Sequence, residues 1–186
     1  DELRSLNDRL KAEVAELAAQ LRTVAGKEDL NLNSPKQLRE LLYDEKGLTP
    51  IKKTKTGPST DASTLEKLMP EWPEFLGPLM RHREVDKLRG TYGEGLLHEV
   101  GEDNRIHATF NQTVARTGRL SSDRPNLHNI PVRSEQGRQF RKIFVPSPGT
   151  ELLVADYNQI ELRCIAHLAS DPGLIEAFTT GQDIHN

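Results

Sequence analysis

Disulfides are the first thing this sequence does without. Its 186 residues include one cysteine, Cys164, so no internal bridge forms, and a reducing compartment suits such a chain. Cys164 lies in an apolar helical pattern, where a small core residue is the plain reading. Long hydrophobic runs are missing too. No stretch approaches the ~20 apolar residues that a membrane-spanning helix needs, and no membrane partner is expected. The first residues, "DELRSLNDRL", lack the marks of a signal peptide. Internal repeats, low-complexity tracts and Gly/Ser linkers are absent as well. With 35% hydrophobic and 28% charged residues, what remains is a globular chain with room for one large domain or two small ones.

Net charge is −3, and taken alone that argues against a nucleic-acid partner. Its distribution argues the other way. From Arg105 to Lys142 eight Lys or Arg stand against two acids, a net of +6. From Ile143 onward six acids stand against Arg163 alone, a net of −5. A basic segment followed by an acidic one suits a polyanion and a divalent cation side by side, although segregation of this size also arises by chance.

Leu3, Leu6, Leu10, Val14, Leu17, Leu21 and Val24 recur at steps of three and four, which predicts an amphipathic helix closed by Gly26. Leu3, Leu10, Leu17 and Val24 are also spaced by seven, but about three heptads fall short of a coiled coil, so the stripe is expected to lie on its own domain. "NLNSPKQLRELLYDEKG" predicts a helix with Ser34 as N-cap, Pro35 at the first position and Gly47 at the end. In "IKKTKTGPSTDASTLEKL", three lysines among threonines precede Gly57-Pro58, with Ser59 and Thr60 as candidate helix starts. Such a loop suits phosphate oxygens and equally suits plain solvation. Residues 73–92 read as helix, with Arg83 and Lys87 on one face.

"RIHATFNQ" alternates like a strand, and a soft domain boundary falls near Thr91–Gly95, where helical pattern gives way to strand pattern. "TVARTGRLSSDRPNLHNIPVR" is a long polar loop rich in donors for phosphates and base edges, which favours function over disorder. "RQFRKIFVPSPG" reads as a strand and a turn leading to "TELLVADY". There, Leu152 to Ala155 form an apolar run that predicts a strand buried on both faces and ending on Asp156. A helix follows to about Ala169, with Asn158 and Glu161 spaced as a capping box. Asp156 is thus either a metal or catalytic group or a strand terminator, and Glu161 either a functional acid or half of the cap.

Here the residues carry a resemblance. "DYNQIELR", followed by "AHLASD" and "GQDIH", is similar to motif A of the family A DNA polymerases, the bacterial and phage polymerase I type. Asn158 replaces the family's usual serine, and both residues cap helices. "TGRLSSDRPNLHNIP" resembles a second family segment, with His128 where glutamine is usual. "NLNS", "KTKTGPST" and "HREVDKLRGTY" resemble, in order, the DNA-contacting parts of the family's thumb. The likeness covers nearly the whole chain. It implies an α+β fold of the right-hand polymerase kind, with a helical thumb over residues 1–92 and the first part of an antiparallel-sheet palm over 93–186.

The resemblance also implies roles. Asp156 and the backbone carbonyl of Tyr157 would bind catalytic Mg²⁺, two ions in a complete enzyme, for transfer of a dNMP from a dNTP to a primer 3′-hydroxyl. Gln159, Glu161 and His185 would meet the nucleotide, with Glu161 sensing its sugar. Arg119, Asn126, His128, Asn129 and Arg133 would contact primer–template DNA near the primer end. Asn33, Lys52, Lys53, Lys55, Ser59, Thr60, Arg83 and Lys87 would grip the duplex backbone. The family's fingers helix and its His-Asp-Glu motif are not among these residues, nor is an exonuclease domain. The chain is therefore expected to be inactive alone and to need a C-terminal portion carrying fingers and the rest of the palm.

Two rival readings stand beside an enzyme part. A clamp for primer–template without chemistry of its own would bind duplex and do no more. An interaction protein organised by the leucine stripe would dimerise through it, but leaves the motifs after Arg105 unexplained.

Overall fold

The computed structural model describes residues 2–55, 57–132 and 135–182. The chain forms two compact units, Asp1–Phe144 and Val145–Asn186.

In the first unit, α1 (Glu2–Ala25) is the long amphipathic helix that the leucine stripe predicts, and it stops where Gly26 takes φ +67°. It packs along α4 (Pro73–Leu88). Two apolar clusters hang on this pair. Leu21 joins Leu38, Leu42, Leu65, Leu68, Phe75, Leu76 and Leu79 in one, while Leu6 and Leu10 join Val85, Leu88, Tyr92, Leu96, Ile130 and Phe140 in the other. Leu6, Leu10 and Leu21 of the stripe are thus buried within its own unit, while Leu3, Val14, Leu17 and Val24 are half-buried. Each fully buried Leu or Phe contributes about 1.5–3 kcal/mol relative to its exposed state.

Helix α2 (Pro35–Arg39) starts where expected: the Ser34 hydroxyl accepts from the Gln37 amide at 3.3 Å, and Pro35 fills the first turn. It widens into a π-turn over Glu40–Glu45, and Gly47 follows at φ +74°. A hairpin of β1 (Lys53–Thr54) and β2 (Gly57–Pro58) pairs Lys53 with Pro58 and Thr54 with Gly57. The next helix, α3 (Ala62–Leu68), is capped by Asp61 rather than by Ser59 or Thr60. A carboxylate is the stronger acceptor at a helix N-terminus, and Asp61 Oδ1 takes the Thr64 amide at 2.8 Å.

Helix α4 does not end near residue 92. It runs through a second π-turn, Arg89–Glu94, into α5 (Gly95–His98). Because Tyr92 and Leu96 share a cluster with Ile130 and Phe140, residues on both sides of the expected boundary belong to one core, and the compact unit extends to Phe144. After α5, β3 (Thr109–Asn111) and β4 (Ser121–Asp123) pair antiparallel, with Phe110 opposite Ser122. The segment read as a strand at "RQFRKIFVPSPG" begins instead within α6 (Glu135–Lys142), and its residues after Lys142 form no strand. The buried residues of α6, Gly137 and Phe140, are three apart, and that helical spacing overrides the apparent alternation.

In the second unit, residues 151–157 carry no regular secondary structure and are bonded into no ladder, contrary to the buried strand predicted there. A strand needs a neighbour to accept its hydrogen bonds, and no described segment supplies one. Leu152, Leu153 and Val154 accordingly stand 61%, 93% and 90% exposed. Helix α7 (Ile160–Ala169) follows, then α8 (Pro172–Thr180) with Asp171 as its N-cap. The capping box at Asn158 is not formed. Gln159 occupies the cap position in the left-handed region, at φ +52°, with no side-chain cap bond.

Candidate nucleic-acid interface

The first unit carries an open groove of about 850 Å³ between the C-terminal part of α4 with its π-turn and the loop that follows β4. Lys87, Thr91 and Tyr92 form one wall; Pro125, Asn126, Asn129 and Pro131 form the other. Lys87, Asn126 and Asn129, far apart in the sequence, were expected at a DNA surface and meet here. The loop wall is shaped by its own side chains. Ser122, buried, donates from Oγ to the Pro125 carbonyl at 3.0 Å and accepts the Leu127 amide at 3.2 Å. Asn126 Oδ1 caps the short 3₁₀ turn Leu127–Asn129 by accepting the His128 amide at 3.1 Å. His128 is exposed, with its ring 6.0 Å from that of Phe110. Arg119 is exposed just before β4.

The basic hairpin is a second candidate surface. Lys53 and Lys55 are exposed, while Lys52 pairs with Asp61 at 2.8 Å. That ammonium, with the Thr64 amide behind it, holds the Asp61 carboxyl well below the usual carboxylate range. Ser59 is buried, and its groups serve the loop: the amide donates to the Lys52 carbonyl, Oγ accepts the Asp61 amide, and the carbonyl accepts the Tyr43 hydroxyl. Arg83 donates to the Thr60 carbonyl, and burial pushes its guanidinium pKa down. Asn33 donates to Asp86 at 3.3 Å. Burial would raise Asp86, but hydrogen bonds from Arg89 and Asn33 keep its carboxyl below the ordinary value. Ser59, Arg83 and Asn33 thus brace the surface, whereas Lys53, Lys55 and Lys87 present charge outward.

In the second unit, Asp156 and Tyr157 lie at the end of the irregular stretch 151–157, both exposed, with Gln159 and Glu161 just beyond. Arg163 ties this corner together, donating to the Asn158 carbonyl at 2.9 Å and lying 4.5 Å from the Phe178 ring of α8. Among the described residues no three His, Cys, Asp or Glu converge as a metal cage. One carboxylate with an adjacent carbonyl still fits Mg²⁺, which takes one or two carboxylates and completes its shell with phosphate oxygens and water. Arg133 and His185 lie outside the described residues.

Sequence reasoning missed Thr91, Tyr92 and Pro131 as groove residues. The step of four from Arg83 through Lys87 leads on to Thr91, which was the available signal; nothing local marks Tyr92, whose place depends on the π-turn.

A helical unit with two small antiparallel hairpins makes this an α+β chain. More specifically, this chain belongs to DNA polymerase family A, whose profile matches residues 1–186. It is 53% identical to DNA polymerase I of Mycobacterium bovis over 165 residues, covering 88% of this chain and 18% of that protein. DNA polymerase I of Bacillus subtilis is 46% identical over 187 residues, covering 100% of this chain and 21% of that protein. Among solved structures, the POL domain of Pol1 from M. smegmatis, in complex with DNA primer-template and dNTP, matches with a TM-score of 0.88 and 47% identity, over 99% of this chain and 32% of that one. The chain therefore spans about a fifth of the length of these curated relatives.

Proposed function

We propose that this chain is the duplex-gripping part of a DNA-directed DNA polymerase and bears one of its metal-binding carboxylates. The groove carries this reading: Lys87 from one wall and Asn126 and Asn129 from the other line a trough open to solvent, with Glu84 also in its lining. Lys53 and Lys55, with Lys87, would meet phosphates without regard to sequence, and Asn126 and Asn129 would reach acceptors near the primer end. Arg119, His128 and Arg133 would add contacts beside them. In this scheme residues 1–92 act as the thumb and 93–186 as the start of the palm.

Asp156 and the Tyr157 carbonyl would hold Mg²⁺, with Gln159, Glu161 and His185 toward the incoming dNTP. Bound there, the ion supplies charge neutralisation where phosphoryl transfer concentrates negative charge. The chain's own contribution is positional, holding primer and template while a portion bearing fingers and the rest of the palm completes the site. The likeness to M. smegmatis Pol1, whose POL domain is in complex with DNA primer-template and dNTP, supports this assignment.

Fluorescence anisotropy with a labelled primer–template tests the reading. Affinity should fall steeply between about 50 and 200 mM salt, and replacing Lys53 and Lys55 by alanine should flatten the log–log slope by about 1.8. Asp156→Ala should leave that affinity in place while abolishing dNMP incorporation in the full-length polymerase. No binding, or binding indifferent to salt, rejects the proposal.

A further inference from the structure

Three successive carbonyls on the loop wall of the groove are each met by another element. The Asn129 carbonyl accepts the Tyr92 hydroxyl. The Ile130 carbonyl accepts Arg141 Nη2 at 3.4 Å, and the Pro131 carbonyl lies so close over Gly137 that a Cβ there would be 2.2 Å from it. Of the three groups that meet these carbonyls, Tyr92 alone also lines the groove. Tyr92 is 5% exposed, with its ring in tilted contact with that of Phe140 at 5.8 Å, so the phenol is held by the core while its oxygen reaches the loop. This residue lies inside the π-turn Arg89–Glu94, where the regular helical register is interrupted. Arg89 staples that turn, bonding Asp86 at 2.8 and 3.0 Å and Glu94 at 2.7 Å.

We propose that Tyr92 is a positioning residue for nucleic acid in the groove: its hydroxyl fixes the Asn129 carbonyl and with it the places of the Asn126 and Asn129 amides. Contacts to a duplex end tolerate little displacement, so a donor anchored in the core is worth more than one carried on the loop itself. Losing the phenol bond removes this donor from the carbonyl of an exposed loop residue. The cost falls on order in the loop. The inference rests on the groove binding primer–template.

Tyr92→Phe keeps the ring against Phe140 and removes only the hydroxyl. Amide exchange at residues 127–130 should quicken on the order of three- to tenfold, with the remaining amides unchanged. Primer–template affinity, measured where both proteins are folded, should weaken by a similar factor. Asn129→Ala should cost less affinity in the Tyr92→Phe background than in the wild type. Unchanged exchange overturns the inference, as does faster exchange with unchanged affinity, or strictly additive losses. A wild-type chain that fails to bind duplex overturns the proposed function and this inference together; a wild type that binds while Tyr92→Phe binds equally well overturns this inference alone.

Discussion

Gly137 faces the Pro131 carbonyl, and the contact leaves room for a hydrogen only. A Cβ would lie 2.2 Å from that oxygen and 2.7 Å from its carbon, and the neighbour is backbone that cannot swing aside. Gly137→Ala should therefore destabilise the first unit by about 1–3 kcal/mol, the range for overpacking, read as a lower urea midpoint at unchanged slope. Gly93 makes a comparable approach, with Asn7 Oδ1 at 2.3 Å from an added Cβ, but a side-chain amide can turn away. Both glycines have ordinary negative-φ backbones, so close approach explains them, and a single sequence read for turn signals passes over such positions.

At the scale of elements, α1 and α4 carry polar groups at the waist between their two apolar clusters. Arg81 of α4 bonds Glu13 of α1 at 2.6 and 2.7 Å, and next to it His82 is buried with no partner for Nδ1 among the described residues. Burial pushes the His82 imidazole down, against the pull of Asp86 and with the push of Arg83, Arg22 and Arg89. The unfolded chain thus takes up a proton that the folded one resists. Stability should hold above the unfolded histidine value of about 6.5 and decline as pH falls below it. Thermal melts between about pH 7.5 and 5.5 should show the decline, and His82→Gln should flatten it.

Elements whose cues are local were legible in the sequence. The leucine stripe with Gly26, and Ser34 with Pro35, each carry a helix boundary within a few residues. Elements whose identity depends on distant partners were not. The Leu152–Ala155 run has strand composition but gains no ladder from the described residues, and Asn158 has a cap's chemistry while Gln159 takes the cap's place. The candidate interface divides in the same way. Lys53, Lys55 and Lys87 were readable as outward charge, whereas the inward duties of Ser59 and Arg83 depend on residues up to 23 positions away.

Over the whole molecule, charge marks the division between units better than hydrophobic pattern does. The +6 segment ends at Lys142 and the −5 segment starts at Ile143, beside the break between Phe144 and Val145. No described helix is long and apolar enough to cross a membrane. Within Asp1–Phe144, one 24-residue rod is anchored near its start by Leu6 and Leu10 and near its end by Leu21. Neither hydrophobic nucleus can melt without pulling on the backbone that seats the other, so calorimetry on this unit's transition should give one endotherm with matching van't Hoff and calorimetric enthalpies. Breaking the rod midway with Ala15→Pro, at a cost of about 3 kcal/mol or more, should lower the midpoint of that endotherm while α4, which also carries residues of both clusters, keeps it single.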